Sequence, residues 1–460
     1  MEKLIEKITS QKDPKELVTE QLISIIIGKS TSNMADSQTN QNLANYLRSR
    51  LCQNIRIEDL TKIEGITALQ AFQILSAIEL GRRFYKNNIA RKLSNEDWDF
   101  SSLRQSERQY GVHFFHHYTA KFIPQIPAKL IRLLSKGNDI VVDPFMGSGT
   151  TLIEAKLLGC HSYGFDTNPL AVKIIKAKAM IINENKVKEI DKFLNWTDKE
   201  RKYQNRKSEG IKQVELFENS HLWFRSDVAY KIKLILDESK NYSSEIQNFI
   251  QIGLSDLLKG MSNARMDSVE PILPENPIYN DKKHYYREVN NQTRNIPVFD
   301  RVYSQLKRMK HAILEFNKEA DRRLICKPIL ADARELSKHV KNCNLIITSP
   351  PYWSAQNYEK LHKLSFKLFN LKTEEGKEIG RNSSSYLHDM KIVFQEIAKV
   401  LNGYFAIVIG EDNKRKLHEK LYEIAQQIGF KPFEIIMRRI SNQVSRAKQI
   451  KNEYIYVFKI

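Results

Sequence analysis

The sequence predicts an α/β protein whose functional residues lie at strand ends, preceded by a smaller all-helical region. Residues 139–155 have the pattern of a strand, a glycine loop and a helix. Residues 344–353 have the pattern of a short buried strand that two prolines terminate. Between residues 13 and 88, apolar residues recur at helical spacing. Because ligands of open α/β sheets bind beyond the carboxyl ends of the strands, we expect the active residues there.

Length and composition favour a multidomain protein with a polyanionic partner. The chain has 460 residues, enough for more than one domain and a sizeable core. Its formal net charge of +19 favours a polyanion, with solubility as the alternative explanation. The cysteines lack metal-site spacing, and the sequence has neither a signal-peptide core nor an apolar run that could span a bilayer. We therefore expect reduced thiols in a cytoplasmic protein.

Residues 344–353 combine groups that suit a planar base with an exocyclic amine. Neither Pro350 nor Pro351 can donate to a sheet ladder, so the strand ends before them. Pro351 also favours an extended backbone at Pro350, which holds the carbonyls of Ser349 and Pro350 rigidly. The Ser349 hydroxyl, these carbonyl acceptors and the ring of Tyr352 would then face one ligand. For this motif alone, a strand that ends in an ordinary proline-rich turn is the alternative.

The glycine loop predicts a second ligand-binding element. Gly147 and Gly149 allow the backbone to approach a ligand closely, and Thr150 or Thr151 is suited to cap the helix that follows. No Gly-Lys-Ser/Thr follows, so the loop is not a phosphate-binding P-loop. The next strand ends in Asp166, at the position where an acid usually holds ribose hydroxyls. The loop and this acid together indicate a nucleoside-containing cofactor.

Both motifs resemble those of a known enzyme family. Residues 143–149, Asp-Pro-Phe-Met-Gly-Ser-Gly, resemble the S-adenosylmethionine loop of the amino-methyltransferases. Residues 348–353 resemble their catalytic Ser-Pro-Pro-Tyr motif, in the form typical of DNA cytosine-N4 methyltransferases. The resemblance extends over about residues 113–460 and implies a Rossmann-like class I methyltransferase sheet. It implies that catalysis rests on Ser349, Pro350, Pro351 and Tyr352, and cofactor binding on Phe122, Pro124, Asp143, Pro144, Phe145, Gly147, Gly149, Thr150, Asp166 and Asp332.

Three of these roles come from position within the family pattern. Asp332, at the end of a predicted strand, resembles the acid that accepts from the adenine amine of the cofactor. Phe122 and Pro124 lie in a segment that resembles the one that closes over the methionine end. The same segment contains His113, His116 and His117, but no cysteine or carboxylate has the spacing of a metal site, so none is predicted.

Residues 183–323 interrupt the α/β rhythm and predict an inserted subdomain. Helical patterns occur at residues 228–238, 246–259 and 302–316, and residues 281–287 mix aromatic with basic side chains. That mixture suits base stacking and phosphate contact, whereas an ordinary solvated loop is the alternative. In methyltransferases of this kind such an insertion usually carries target recognition.

The region before residue 89 predicts a helix-hairpin-helix domain. Residues 57–67 form the hairpin pattern, and residues 77–83 resemble the N-terminal helical domain of RadC-like proteins. Turn amides of such hairpins contact nucleic-acid phosphates. Thr67 occupies the position of the second hairpin glycine, so a purely structural helical module is the alternative. The predicted organisation is therefore residues 1–88 as this domain, 89–109 as a linker and 110–460 as the methyltransferase domain.

The remaining periodicity completes a seven-stranded sheet. Strands are predicted at residues 327–332, 403–409, 433–437 and 453–458, and helices at 168–182, 388–401 and 416–428. The expected product is N4-methylcytosine in double-stranded DNA, formed on a base flipped out of the duplex. Adenine-N6 methylation, RNA guanine-N2 methylation and a DNA-binding scaffold are the alternatives. A cognate restriction endonuclease is the further partner that the resemblance implies.

Overall fold

The computed structural model describes residues 42–43, 57–100, 102–118, 121–204, 214–265, 268–273, 296–351, 357–374, 379, 385–412, 415–439 and 452–460. The chain divides into two compact units, residues 1–95 and 96–460. Most helices predicted before residue 57, the basic stretch 281–287, and Tyr352 with Trp353 lie outside the described residues. No helix among the described residues is long and apolar enough to cross a membrane.

The first unit contains two helices, α1 (Ile57–Thr61) and α2 (Ala68–Asn95), joined by a short turn. Gly65 adopts a positive φ of 85° in the turn. The Thr67 hydroxyl accepts from the backbone N–H of Gln70 at 3.3 Å, and the Gln70 side chain accepts from the backbone N–H of Thr67 at 3.0 Å. This reciprocal pair is a capping box, which explains a threonine where a glycine was expected.

The predicted linker at residues 89–109 is wrong at its first boundary. Helix α2 continues through Asn95, because Ile89 and Leu93 are buried and extend its apolar side beyond residue 88. Residues 96–109 belong to the second unit and include a short helix, α3 (Gln105–Arg108). Within that unit, Lys129 donates to the Asp97 carbonyl, and its ammonium lies 5.3 Å from the Trp98 ring centroid. The segment therefore packs on the sheet-containing unit.

The second unit is built on a seven-stranded sheet of order β3-β2-β1-β4-β5-β7-β6. Strands β1 to β5 are parallel, and β7 is antiparallel to both β5 and β6. All seven predicted strands are confirmed to within two residues at most ends. Their bounds are β1 (Ile140–Asp143), β2 (His161–Asp166), β3 (Cys326–Leu330), β4 (Cys343–Thr348), β5 (Leu401–Gly410), β6 (Lys431–Arg439) and β7 (Asn452–Lys459).

The helices around the sheet follow the predicted alternation with the strands. They are α4 (Gln125–Leu134), α5 (Thr150–Leu157), α6 (Pro169–Lys178), α12 (Leu336–His339), α13 (Tyr358–Leu361), α14 (Lys363–Leu368), α15 (Tyr386–Val400) and α16 (Leu417–Ile428). A 3-10 helix, Gly111–Phe115, precedes α4, and another, Ala333–Glu335, precedes α12. The central strands are nearly continuous apolar runs, as expected for a parallel sheet that is covered on both faces.

The insertion is a packed helical subdomain. Its helices are α7 (Glu184–Gln204), α8 (Ser220–Trp223), α9 (Ser226–Ser239), α10 (Ser244–Met261) and α11 (Val298–Glu319). Phe193, Phe249 and Ile313 share one hydrophobic core with Leu170 and Ile174 of α6. Sequence periodicity predicted α9, α10 and α11 but missed α7, because most of its residues are charged or polar. The insertion and the sheet are thus joined by a common core.

Candidate active site

The glycine loop is fixed by backbone conformation and by close packing. Gly147 and Gly149 have φ values of 48° and 78°, which favour glycine. A Cβ on Gly149 would lie 2.4 Å from Cγ1 of Ile175, so a side chain there would displace α6. The backbone N–H of Met146 donates to the Phe165 carbonyl at 2.9 Å. These constraints hold the loop between the carboxyl ends of β1 and β2.

Asp143 connects the glycine loop to the catalytic strand. One carboxylate oxygen accepts from the Thr348 hydroxyl at 2.7 Å and from the backbone N–H of Phe145 at 3.0 Å. The other accepts from the Thr151 hydroxyl at 2.7 Å. The side chain is fully buried, and burial raises its pKa to about 6. Asp143 therefore braces β1, β4 and α5 from within, and its predicted contact with the cofactor stays a prediction.

Asp166 holds the loop from the neighbouring strand. Its carboxylate accepts from the backbone N–H groups of Gly147 at 3.0 Å and Asn168 at 2.8 Å. Asn168 then caps α6 by accepting from the backbone N–H of Leu170 at 2.9 Å. The Tyr118 hydroxyl accepts from Asn168 Nδ2 at 3.2 Å. The acid predicted for ribose thus also shapes the loop beside it.

The catalytic motif begins directly beyond β4. Thr348 is the last residue of the strand, Ser349 is half-buried and Pro350 is buried. The hydroxyl of Tyr386, at the start of α15, donates to the Pro351 carbonyl at 2.7 Å. Tyr386 is fully buried, so this bond fixes the backbone just after Pro350 from a separate element. Tyr352 lies outside the described residues.

Asp332 lies just beyond β3, and its carboxylate is paired with an arginine. The backbone N–H of Ala331 donates to the Asp166 carbonyl at 3.1 Å, which brings Asp332 to the edge where β2 ends. The Arg334 guanidinium pairs with Asp332 at 2.6 Å and with Asp389 at 2.8 Å. The pairing with arginine was not predicted, and an adenine amine would share this carboxylate with it.

The other predicted cofactor residues lie in or beside these elements, and their contact with the cofactor stays a prediction. Pro144 is buried, Phe145 is half-buried, and Thr150 is the buried first residue of α5. Gly149 is the N-cap of α5, without a side-chain hydrogen bond, so the predicted capping by a threonine was wrong. Pro124 is buried immediately before α4, and Phe122 is half-buried beside it.

Sequence reasoning missed four residues that support this site: Tyr118, Asn168, Lys178 and Tyr386. Lys178 is fully buried, its amine donates to the Ser148 carbonyl at 2.8 Å, and burial lowers its pKa well below the ordinary value. The Asn168-Pro169 pair is a helix-start signal that could have identified Asn168. The others act across long sequence separations and leave no local pattern.

The three histidines of the preceding segment have protein partners. His113 Nε2 lies 2.7 Å from Glu154, and both side chains are buried. His116 Nε2 lies 2.9 Å from the Ser255 hydroxyl, and His117 Nδ1 lies 2.8 Å from Asp256. Across the part of the chain that the structure describes, no group of three or more His, Cys, Asp or Glu residues is suited to hold a metal.

The chemistry of this edge fits S-adenosylmethionine. Acids end β2 and lie just beyond β3, where hydroxyl and amine donors of a nucleoside need acceptors. At Gly147 a Cβ would lie 3.3 Å from Cε1 of Tyr118, so a side chain would narrow the space over the loop. Asp166, Asp332, Gly147, Phe122 and Phe145 are the residues that would hold the cofactor.

Comparisons with known proteins agree with this reading. A family model described as DNA methylase matches residues 61–177. The matches support a DNA methyltransferase. The Type II methyltransferase M.MjaII of Methanocaldococcus jannaschii is 24% identical, over 79% of this chain and 83% of that protein. The Type II methyltransferase M.MvaI of Kocuria varians is 23% identical, over 72% and 75%. The cofactor of the protein is S-adenosylmethionine, and its binding at this edge of the sheet stays a prediction.

Among solved structures, a TehB-like S-adenosylmethionine-dependent methyltransferase from Corynebacterium glutamicum is similar at 9% identity and a TM-score of 0.27. That similarity covers 72% of this chain and 86% of the other. The fold assignment rests on the strand order and register described above.

Proposed function

We propose that this protein methylates the exocyclic N4 amine of cytosine in double-stranded DNA, in a restriction-modification setting. The observation that carries the proposal is Ser349, a hydroxyl at the carboxyl end of β4, directly after Thr348. Thr348 is tied through Asp143 to the glycine loop. The amine-binding motif and the cofactor loop are therefore braced by one buried carboxylate.

The residues of the motif would act by orienting the amine. The lone pair of a cytosine amine is delocalised into the ring, so the amine is a poor nucleophile. Its two N–H groups can donate to the Ser349 hydroxyl and the Pro350 carbonyl, which favours a pyramidal nitrogen directed at the methyl group. When bound, S-adenosylmethionine supplies an electrophilic methyl group on a sulfonium. Alignment then matters more than proton transfer, because the electrophile is already activated.

Other parts of the chain would supply recognition of DNA. We infer that residues 183–323 carry target recognition within the methyltransferase domain, residues 96–460, and that residues 1–95 form a helix-hairpin-helix domain. The target base must leave the duplex to reach the strand edge, and Tyr352 would stack on it there. A cognate endonuclease and a cytoplasmic location complete the proposal.

Product analysis tests the proposal. The full-length protein is incubated with labelled S-adenosylmethionine and double-stranded DNA, the DNA is digested, and the nucleosides are identified by mass spectrometry. We expect N4-methylcytosine. If N6-methyladenine is the sole product, adenine replaces cytosine as the target base. If the DNA carries no label, both the cytosine and the adenine assignments are wrong.

Replacing Ser349 with alanine tests the residue that carries the assignment. We expect turnover to fall at least about tenfold with the cofactor dissociation constant unchanged, because the hydroxyl acts mainly in the transition state. Ser337→Ala is the control, since Ser337 lies in α12, outside the motif, and alanine keeps the backbone N–H that donates to Glu396 at 2.9 Å. Equal turnover of Ser349→Ala and the wild-type protein would contradict the role of the hydroxyl.

A further inference from the structure

Three segments that are far apart in sequence meet at one buried hydroxyl. Oγ of Ser255 lies 2.9 Å from His116 Nε2 and 2.6 Å from Oγ of Ser365. All three side chains are at most 5% exposed. Ser255 belongs to α10 of the insertion, His116 precedes the glycine loop, and Ser365 lies in α14 after the catalytic motif. We call His116, Ser255 and Ser365 the Ser255 junction.

The same helix α10 makes a second contact to the segment before the glycine loop. The Asp256 carboxylate accepts from the backbone N–H of His117 at 2.7 Å and lies 2.8 Å from its Nδ1. Adjacent residues of α10 therefore fix both the backbone and the side chains of residues 116 and 117. The insertion thus holds this segment at consecutive positions rather than at one point.

Packed rings continue from the junction to the glycine loop. The His116 and His362 ring centroids are 5.3 Å apart. His362 in turn stacks on Tyr118 at 5.2 Å with an interplanar angle of 21°. Tyr118 accepts from Asn168 at 3.2 Å and lies over Gly147. A displacement of α10 would therefore be transmitted by direct contact to the loop that faces the cofactor.

The junction leaves polar atoms unpaired in the interior. Within the described part of the chain, neither His116 Nδ1 nor His362 Nε2 has a hydrogen-bond partner. Burial lowers the pKa of His116 to about 3 and that of His362 to about 4, so both rings are neutral near neutral pH. His116 and His362 therefore act as neutral rings, through the hydrogen bond of His116 to Ser255 and through ring packing.

We propose that Ser255 and His116 are positioning residues. They fix the relative positions of three segments: the inserted subdomain, the segment before the glycine loop and the helix after the catalytic motif. The inference rests on the proposed function, because register matters where a flipped base and a methyl donor must be aligned. A misplacement of about 1 Å from a residue remote from the reaction can lower the rate by up to about a hundredfold. The junction would keep the glycine loop and the catalytic motif within about 1 Å of the positions that the reaction requires.

Single and double variants test the proposal on the full-length protein. Ser255→Ala and Ser365→Ala are each expected to lower kcat about tenfold, and the double variant about tenfold as well, because both remove the same contact. His116→Gln should keep most activity, since its amide can occupy the position of Nε2, whereas His116→Leu should not. Ser239→Ala is the matched control: Ser239 is fully buried in α9, and its hydroxyl donates to Leu236 of its own helix at 2.7 Å.

The outcomes separate this inference from the proposed function. If kcat of the double variant is about a hundredfold lower than that of the wild-type protein, the two serines act independently and the positioning role is overturned. The same conclusion follows if His116→Gln is as inactive as His116→Leu. If the wild-type protein methylates no DNA, the proposed function fails, and amide hydrogen exchange then decides the junction. Faster exchange across α14 and at His117 in Ser255→Ala than in Ser239→Ala supports it, and equal exchange overturns it.

Discussion

At the residue scale, Asp166 has a structural role that the sequence did not predict. Its carboxylate accepts from the backbone N–H groups of Gly147 and Asn168, and it ends β2 at the edge where the cofactor is expected. Asp166 therefore shapes the glycine loop, and the binding of ribose hydroxyls to the same carboxylate stays a prediction.

Replacing Asp166 with alanine should therefore weaken binding of S-adenosylmethionine by about tenfold or more, since buried donors lose their acceptor. Calorimetric titration of the cofactor measures the effect. Asp139→Ala is the control, because Asp139 precedes the amino end of β1 and accepts from the backbone N–H of Lys136 at 2.7 Å. Unchanged affinity in Asp166→Ala would mean that the cofactor binds elsewhere.

Asp143 gives a pH dependence of stability with a definite sign. Burial raises its pKa from 3.8 to about 6, although Thr348, Thr151 and the Phe145 amide all donate to it. Between these values the folded protein holds more protons on this group than the unfolded chain does. The contribution of Asp143 to the free energy of unfolding therefore falls as pH rises from about 4 to about 6, and is constant above that range.

The variant Asp143→Asn should lack this dependence. Relative to the wild-type protein, its free energy of unfolding should rise between pH 4 and pH 7, by up to about 3 kcal/mol for a shift of about two pKa units. Urea titrations at several pH values measure the difference, with Asp139→Asn as the control. Parallel curves for Asp143→Asn and the wild-type protein would show that the folded-state pKa is not raised.

At the element scale, the catalytic strand depends on a helix that begins 38 residues after Thr348. Tyr386, the first residue of α15, donates to the Pro351 carbonyl, so β4 and α15 together define the backbone of the motif. The paired prolines remove backbone donors, and the tyrosine hydroxyl supplies one from outside the strand. The rigidity expected from the prolines is therefore completed by tertiary contact.

Tyr386→Phe should lower kcat about tenfold while the cofactor dissociation constant stays within about twofold, because the hydroxyl donates to the Pro351 carbonyl of the motif backbone. Steady-state kinetics with a DNA substrate and calorimetry with the cofactor test the two parts. Tyr422→Phe, on α16, is the control for loss of a tyrosine hydroxyl. A loss of cofactor affinity equal to the loss of kcat would contradict a role confined to the catalytic motif.

At the scale of the whole molecule, the charge of +19 should make DNA binding strongly dependent on salt. Basic side chains that neutralise phosphates release counterions, so the logarithm of the affinity falls linearly with that of the salt concentration. We expect a steep negative slope for the full chain and a shallower one for residues 96–460 alone, measured by fluorescence anisotropy on one duplex. Identical slopes would exclude phosphate contact by the first unit. Cofactor affinity of the shorter chain serves as the control.

The sequence by itself determined which strands end in predicted functional residues and which residue types stand at those ends. Local rules suffice there: two glycines in a tight loop, two prolines that stop a strand, and apolar runs of strand length each act within a few residues. The seven strands, most helices and the placement of Ser349, Gly147 and Asp166 were predictable for this reason. Helix α7 was missed because most of its residues are polar or charged, although several of its apolar residues are buried in the core. The boundary at residue 88 was placed too early, because helix α2 continues through Asn95.

Only the tertiary structure decided which side chains support the site. The carboxylate of Asp143 accepts from the hydroxyl of Thr348, a residue 205 positions away in sequence. Arg334 reaches both Asp332 and Asp389, and Ser255 joins His116 to Ser365. Such contacts depend on how the elements pack, and burial then sets the pKa and the partners of each group. A linear pattern holds no record of them, because their members are neighbours only after folding.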